Sequence, residues 1–195
     1  MQTEEDIKKA VETLKTGGVV VFPTETAYGL AADATNAHAV SRLMAIKGRD
    51  GWKTPPLVAG SMTMAEKEII LSPQLKKLAE RYWPGPLTIV TPIRTNTTLC
   101  QEVIREGTVA IRVSSHETAR MLSVQLGAPI VATSANITGQ ATCYDVASIH
   151  VQFDTRLLQP DFYLDEGLLP HHIPSTIVTE QNGILIILRQ GEIVL

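Results

Sequence analysis

The apolar run Val19-Val20-Val21-Phe22 stops at Pro23 and gives way to Thr24, Glu25, Thr26 and Tyr28. β-Branched and aromatic residues in that order predict a buried strand that delivers polar side chains at its end. In open α/β sheets the crevice beyond the strand ends is where ligands bind, so this turn is a candidate site. The competing reading is a buried strand followed by an ordinary polar turn. Upstream, Ile7, Ala10, Val11 and Leu14 recur at helical spacing behind Thr3 and Asp6, a capping-box pattern with Asp in place of Glu. A second helix is predicted from about Asn36, with Val40, Leu43 and Met44 facing the core and Lys47-Gly48-Arg49 at its end.

Beyond a Gly/Pro-rich loop over 48–56 lies the short apolar run Leu57-Val58-Ala59. A helical pattern follows, is restarted by Ser72-Pro73 as cap and first turn, and ends at Trp83-Pro84. Strands are predicted over 87–93 and 108–113, then an amphipathic helix over 115–126 closed by Gly127. A short strand over 129–132 runs into Thr133-Ser134-Ala135-Asn136, so a second strand end delivers hydroxyl and amide groups. The chain finishes with a helix over 145–153, a strand over 162–164 and a hairpin of 176–179 with 184–188 around Asn182-Gly183. The segment 168–174, with His171-His172, reads as a mobile loop. Interleaved strands and helices with hairpins predict an α/β fold, an open twisted mixed sheet flanked by helices. With no repeat and no linker, residues 1–195 read as one domain.

Charge changes that picture little. Lys+Arg 17 nearly balance Asp+Glu 20, and a net charge of −3 argues against a dedicated nucleic-acid coat. Cys100 and Cys143 lack metal or redox spacing and read as ordinary thiols. The acidic, amphipathic opening has no signal-peptide pattern and no apolar run reaches membrane-spanning length, so the expectation is a cytoplasmic protein that does not enter a membrane.

Several chemistries lack their residues. There is no G-x-x-x-x-G-K-[ST], G-x-G-x-x-G or G-x-S-x-G, so a bound nucleotide would not sit on a P-loop. None of His38, His116, His150, His171 and His172 has zinc-site spacing to another ligand residue, and no protein metal ligand is predicted. A triad on Ser134 has no evident partner histidine. What remains is a set of cations and small polar groups at strand or helix ends: Thr24, Thr26, Lys47, Arg49, Arg112, Ser134, Asn136, Ser175 and Arg189. Arg112 carries most weight. It lies within Val109-Ala110-Ile111-Arg112-Val113, where an arginine is costly to bury unless it meets an anion. The other reading puts it on the solvent face of an edge strand. Lys47 and Arg49 could equally serve the dipole at a helix C-terminus.

Read together, these segments resemble the YrdC/TsaC family of threonylcarbamoyl-AMP synthases. The resemblance rests on Phe22-Pro23-Thr24-Glu25-Thr26 with Tyr28-Gly29-Leu30, Lys47-Gly48-Arg49, Trp83-Pro84-Gly85-Pro86-Leu87-Thr88, Ala110-Ile111-Arg112-Val113, Ser134-Ala135-Asn136 with Gly139, Ser175-Thr176, and Leu188-Arg189-Gln190-Gly191. It runs in order along nearly the whole chain. It implies a YrdC-like sheet with a deep concave cavity, in which L-threonine, bicarbonate and ATP give threonylcarbamoyl-AMP and pyrophosphate. That product would supply the threonylcarbamoyl group of adenosine 37 in tRNA, with separate proteins performing the transfer. By the same resemblance Lys47, Arg49, Ser134, Asn136, Thr142 and Arg189 would contact ATP. Thr24, Arg112 and Ser175 would hold threonine, with Arg112 on its carboxylate and Lys47, Arg49 and Arg112 central to catalysis. Mg²⁺ would bridge the phosphates. Glu25 reads as a brace for the loop or for a cation rather than as a base.

The chain departs from the family pattern at Asp50, where proline is usual, and over Gln140-Ala141-Thr142-Cys143-Tyr144, which replaces a Ser/Thr-Pro-Thr run. His171-His172-Ile173 replaces a glycine-containing approach to Ser175. Two rival readings share the fold: an RNA-binding module contacting tRNA or double-stranded RNA without synthase activity, and a paralogue that adenylates another carbamoylated substrate.

Overall fold

The computed structural model describes residues 3–48 and 54–195. Local signals set most of its elements. Thr3 caps α1 (Glu4–Lys15) in a reciprocal capping box with Asp6. Asn36 caps α2 (Ala37–Lys47), and Gly48 ends it in the left-handed region with φ 63°. After α3 (Met62–Glu68), Ser72 caps α4 (Pro73–Tyr82) with proline in its first turn. Gly127 closes α5 (Glu117–Leu126), and Asp145 caps α6 (Val146–Phe153).

Among the described residues nine strands form one sheet: β1 (Val20–Pro23), β2 (Tyr28–Asp33), β3 (Leu57–Val58), β4 (Leu87–Pro92), β5 (Thr108–Arg112), β6 (Ile130–Ser134), β7 (Phe162–Tyr163), β8 (Thr176–Gln181) and β9 (Ile184–Arg189). Their spatial order is β7-β1-β2-β6-β3-β5-β4-β8-β9. Three pairs are parallel (β1 with β7, β3 with β5, β4 with β8) and the others antiparallel, so the sheet is mixed as expected. Asn182 and Gly183, at φ 52° and 78°, turn the β8–β9 hairpin, as a two-residue loop joining twisted strands requires.

Two sequence expectations are corrected. The polar run after Phe22 is a hairpin turn over 24–27, because Tyr28–Asp33 folds back as β2, with Phe22 opposite Gly29 and Pro23 opposite Tyr28. Y-G-L-A-A-D is buried along nearly its whole length, so no polar alternation marks it as a strand. Likewise β6 continues through Thr133 and Ser134, so Ser134 sits on the strand rather than in the following loop.

The two faces of the sheet are covered unequally, and this creates the cavity. Ala39, Val40, Leu43 and Ile46 of α2 pack with side chains of α3, α4 and α6 against Val21, Leu30, Leu57, Ile89, Ile111 and Val131. On the opposite face, Ile7, Ala10, Val11 and Leu14 of α1 and Ala119 and Leu122 of α5 cover Val20, Phe22, Ala31, Val58 and Ile130. The second cover stops there. Further along the same face Ala132, Ala110 and Val90 line open space, and Ala110 and Ala132 stay partly exposed although their strands are interior. Small side chains there leave the sheet itself as the floor of a concavity. Among the described residues no helix is long and apolar enough to cross a membrane.

Candidate functional site

The bare part of the sheet floors a cavity of about 760 Å³. Strand alternation selects its lining: Thr88 and Val90 of β4, Ala110 and Arg112 of β5, and Ala132 and Ser134 of β6 each lie two residues apart on one face. The β1–β2 turn adds Thr24 and Thr26 at one end. Ser175, Ile177, Leu188 and Arg189 of the β8–β9 hairpin and its approach add the opposite wall. Among the described residues three arginines line the cavity, Arg105, Arg112 and Arg189, and no aspartate or glutamate does.

Arg112 stands on an interior strand and is 7 % exposed, which removes the edge-strand reading. Its Nη1 donates to Glu25 Oε1, forming an ion pair across the mouth of the sheet. Ser114 Oγ donates to the other Glu25 oxygen, Oε2. The anion that Arg112 needs is thus supplied internally, by the residue read from sequence as a brace.

On the opposite wall Thr88 Oγ1 and Ser175 Oγ share a hydrogen bond of 2.9 Å. Arg189 Nη2 donates to Ser175 O at 2.7 Å and to Ser175 Oγ at 3.0 Å. Burial, and then the neighbouring charge of Arg112, push the Arg189 pKa down from the usual arginine value. Two guanidinium groups close enough to repel across a concave, partly dry surface favour an anion between them.

Ser134 marks a third corner. The Lys47 ammonium, at the end of α2, donates to Ser134 O at 2.5 Å, Ser134 Oγ at 3.1 Å, Asn136 O at 3.0 Å and Asn136 Oδ1 at 3.1 Å. Asn136 Nδ2 continues the network to Ile137 O and Gln140 O. Lys47 and Asn136 are therefore buried behind the wall that Ser134 presents to the cavity. Thr142 lines the cavity beside this corner.

Of the residues expected from sequence, Thr24, Arg112, Ser134, Thr142, Ser175 and Arg189 meet around one cavity. Lys47 and Asn136 support it from behind, and Arg49 and Asp50 lie outside the described residues. Thr24 lines the cavity and is also engaged within its own turn. Its hydroxyl donates to Ala27 O at 2.7 Å and accepts from the N–H groups of Thr26 and Ala27, so it closes its own turn. Thr26, 3.1 Å from it, is the more accessible hydroxyl.

Sequence reasoning missed Thr88, Tyr144 and His172 as lining residues. Thr88 had a usable signal, because it alternates with Val90 on the strand that follows Trp83-Pro84-Gly85-Pro86. Tyr144 and His172 had none. They come together because Leu169 N donates to Tyr144 O at 2.8 Å and His171 stacks on the Tyr144 ring at 3.7 Å, laying 168–174 along the rim. Tyr28 also reaches the cavity, but its hydroxyl donates to Gly167 O and accepts from Glu166 N. Burial pushes that phenol up to about 12, so Tyr28 remains a neutral wall residue.

An open mixed sheet whose bare face carries arginines and hydroxyls, with no acidic lining side chain among the described residues, defines an α/β domain with a cationic, hydroxyl-lined cavity. Residues 12–191 match the family described as Telomere recombination (Sua5/YciO/YrdC), and the chain belongs to that family. It is 35% identical over 186 residues to a protein of Pseudoalteromonas translucida named threonylcarbamoyl-AMP synthase, covering 94% of this chain and 97% of that one. A protein of the same name from Bacillus subtilis is 32% identical over 190 residues, and this chain spans 54% of it. Among solved structures, P. abyssi Sua5 complexed with L-threonine superposes with a TM-score of 0.89 at 30% identity over 98% of this chain, which spans 55% of that longer one.

The Ser175 wall depends on a glycine. A Cβ on Gly191 would lie 2.1 Å from Pro174 O and 2.5 Å from Thr176 N, so only glycine lets the chain after Arg189 cross the Ser175 segment. Gly191→Ala is expected to lower the unfolding free energy by about 1–3 kcal/mol, the usual cost of overpacking. Chemical denaturation checks this, and an unchanged midpoint would mean that the crossing is loose.

Proposed function

We propose that the chain is an L-threonylcarbamoyladenylate synthase, converting L-threonine, bicarbonate and ATP into threonylcarbamoyl-AMP and pyrophosphate. The observation that carries this reading is the clustering of Arg112, Arg189, Ser134, Thr142 and Ser175 around one cavity in a chain homologous over most of its length to proteins of that name. The product would feed tRNA threonylcarbamoylation by separate transfer proteins, in the cytoplasm.

The chemistry asks for cations and little else. The threonine amine captures bicarbonate with loss of water, or carbon dioxide with loss of a proton, leaving a carbamate. A carbamate oxygen then attacks the α-phosphorus of ATP, and pyrophosphate leaves. Two anions must meet, so positioning and charge stabilisation can supply most of the acceleration without a covalent nucleophile. Arg112 would take the threonine carboxylate, Ser175 and Thr26 would face its polar groups, and Arg189 would lie between amino acid and phosphates. Ser134 and Thr142 would meet the nucleotide, on a corner stiffened by Lys47 and Asn136. Arg49 belongs to the same expectation.

Among the described residues no three His, Cys, Asp or Glu side chains converge as a metal cage. Hydroxyls and arginines do not fit a protein-held Mg²⁺, so the ion would arrive on the ATP phosphates with its waters. The RNA-binding alternative has less support, since the net charge is −3 and the cavity rings Tyr28, Tyr144 and His172 are not interleaved with a basic track.

Protein incubated with ATP, Mg²⁺, bicarbonate and radiolabelled threonine should release pyrophosphate only when threonine and bicarbonate are both present. A folded sample with no threonine-dependent release, beside an active control, would overturn the reading. Arg112→Ala should raise the threonine KM at least about tenfold more than the ATP KM, and Lys47→Ala should do the reverse. Equal effects on both substrates would contradict the division into two subsites.

A further inference from the structure

Arg112 is paired with a carboxylate, Glu25, that does not itself line the cavity. Thr24 and Thr26 on either side of Glu25 both line the open space, whereas Glu25 does not. Both of its oxygens are engaged, Oε1 by Arg112 Nη1 and Oε2 by Ser114 Oγ. An acid held in this way has neither a free oxygen nor access to a substrate amine. It acts on its neighbour instead.

The support continues away from the cavity. Ser114 is fully buried, its Oγ accepts the backbone N–H of His116 at 3.1 Å, and its carbonyl accepts from Arg120 Nη1 at 2.7 Å. His116 caps α5 and Arg120 lies in its first turns, so the helix that covers the other half of this face also anchors Ser114. The order of support runs from α5 to Ser114, to Glu25 and to Arg112. A single ion pair between residues 87 positions apart in sequence thereby ties the β1–β2 turn, with Thr24 and Thr26, to the end of β5.

We infer that Glu25, held by Ser114, is the positioning residue that fixes the Arg112 guanidinium for the substrate carboxylate. This rests on the proposed function, in which Arg112 takes the carboxylate of threonine. A guanidinium has five N–H donors, and Glu25 occupies one nitrogen, leaving Nε and Nη2 for a ligand. Without Glu25, an arginine 7 % exposed beside Arg189 would be an uncompensated charge next to a like one. It would swing toward water or toward any available anion. With Glu25 the pair is neutral before substrate arrives, and the ordering of the side chain is complete in the free protein. Glu25 acts through Arg112 and touches neither substrate nor the reacting atoms.

The test measures steady-state pyrophosphate release by wild type, Glu25→Gln, Ser114→Ala and the double variant, with threonine and ATP varied in turn. Glu25→Gln keeps the shape and removes the charge. It should raise the threonine KM by about tenfold or more while the ATP KM stays within about twofold. Ser114→Ala should move the threonine KM in the same direction by a smaller factor. The double variant should match Glu25→Gln alone within about twofold, because Ser114 acts through Glu25. The inference is overturned if Glu25→Gln leaves the threonine KM unchanged, if it shifts both KM values alike, or if the two substitutions multiply. Should Glu25→Gln fail to fold, Ser114→Ala carries the test alone, with equal shifts in both KM values as the contrary result. Failure of the underlying reading is separate, since wild type would then show no threonine-dependent release at all.

Discussion

A guanidinium buried in the middle of a β-sheet must have an anion, and much of this domain is arranged around supplying one to Arg112. Because β5 lies between β3 and β4, the side chain cannot reach solvent past a strand edge. Glu25 meets it from the hairpin turn of β1 and β2, with β6 and β3 lying between β2 and β5 in the sheet order. The pair therefore fixes where the turn can sit. Thr24 and Thr26 follow, and with them one end of the cavity.

The second constraint is what the sheet leaves uncovered. Helices α1 and α5 seal one half of a face with Leu14, Val11 and Leu122, and then stop. Beyond them, alanines at 110 and 132 let the floor lie low, and polar side chains at 88, 112, 134 and 175 rise around it. A cavity of this kind needs no domain interface. It is a layer left half covered, and the same absence of packing accounts for its polarity. Membership of the Sua5/YciO/YrdC family gives the concavity its context, since the likeness extends over 98% of the chain for a threonine-bound homologue.

The legible parts of the fold were those written in neighbouring residues. Caps at Thr3 and Ser72, the stop at Gly127 and the turn at Asn182-Gly183 depend on contacts within four positions, and each occurs as read. Tyr28–Asp33 was not legible as a strand, because burial on both faces removes the alternation that would announce it. Of the candidate site, arginine in an apolar strand and hydroxyls at strand ends pointed to residues that gather around one cavity. The partnership of Arg112 with Glu25 could not be seen, since it joins residues 87 apart. Nor could the self-capping of Thr24, or the arrival of Tyr144 and His172 at the rim, because these follow from how the 168–174 segment crosses the fold.

The account stands on Arg112 as the receptor for an amino-acid carboxylate on the bare face of the sheet. A crystal structure with L-threonine and a non-hydrolysable ATP analogue tests that directly. It should show the threonine carboxylate within about 3 Å of Arg112 guanidinium nitrogens, with Glu25 still paired behind them and the nucleotide toward Ser134. Threonine bound elsewhere, or in the cavity with its carboxylate on another residue, would contradict it.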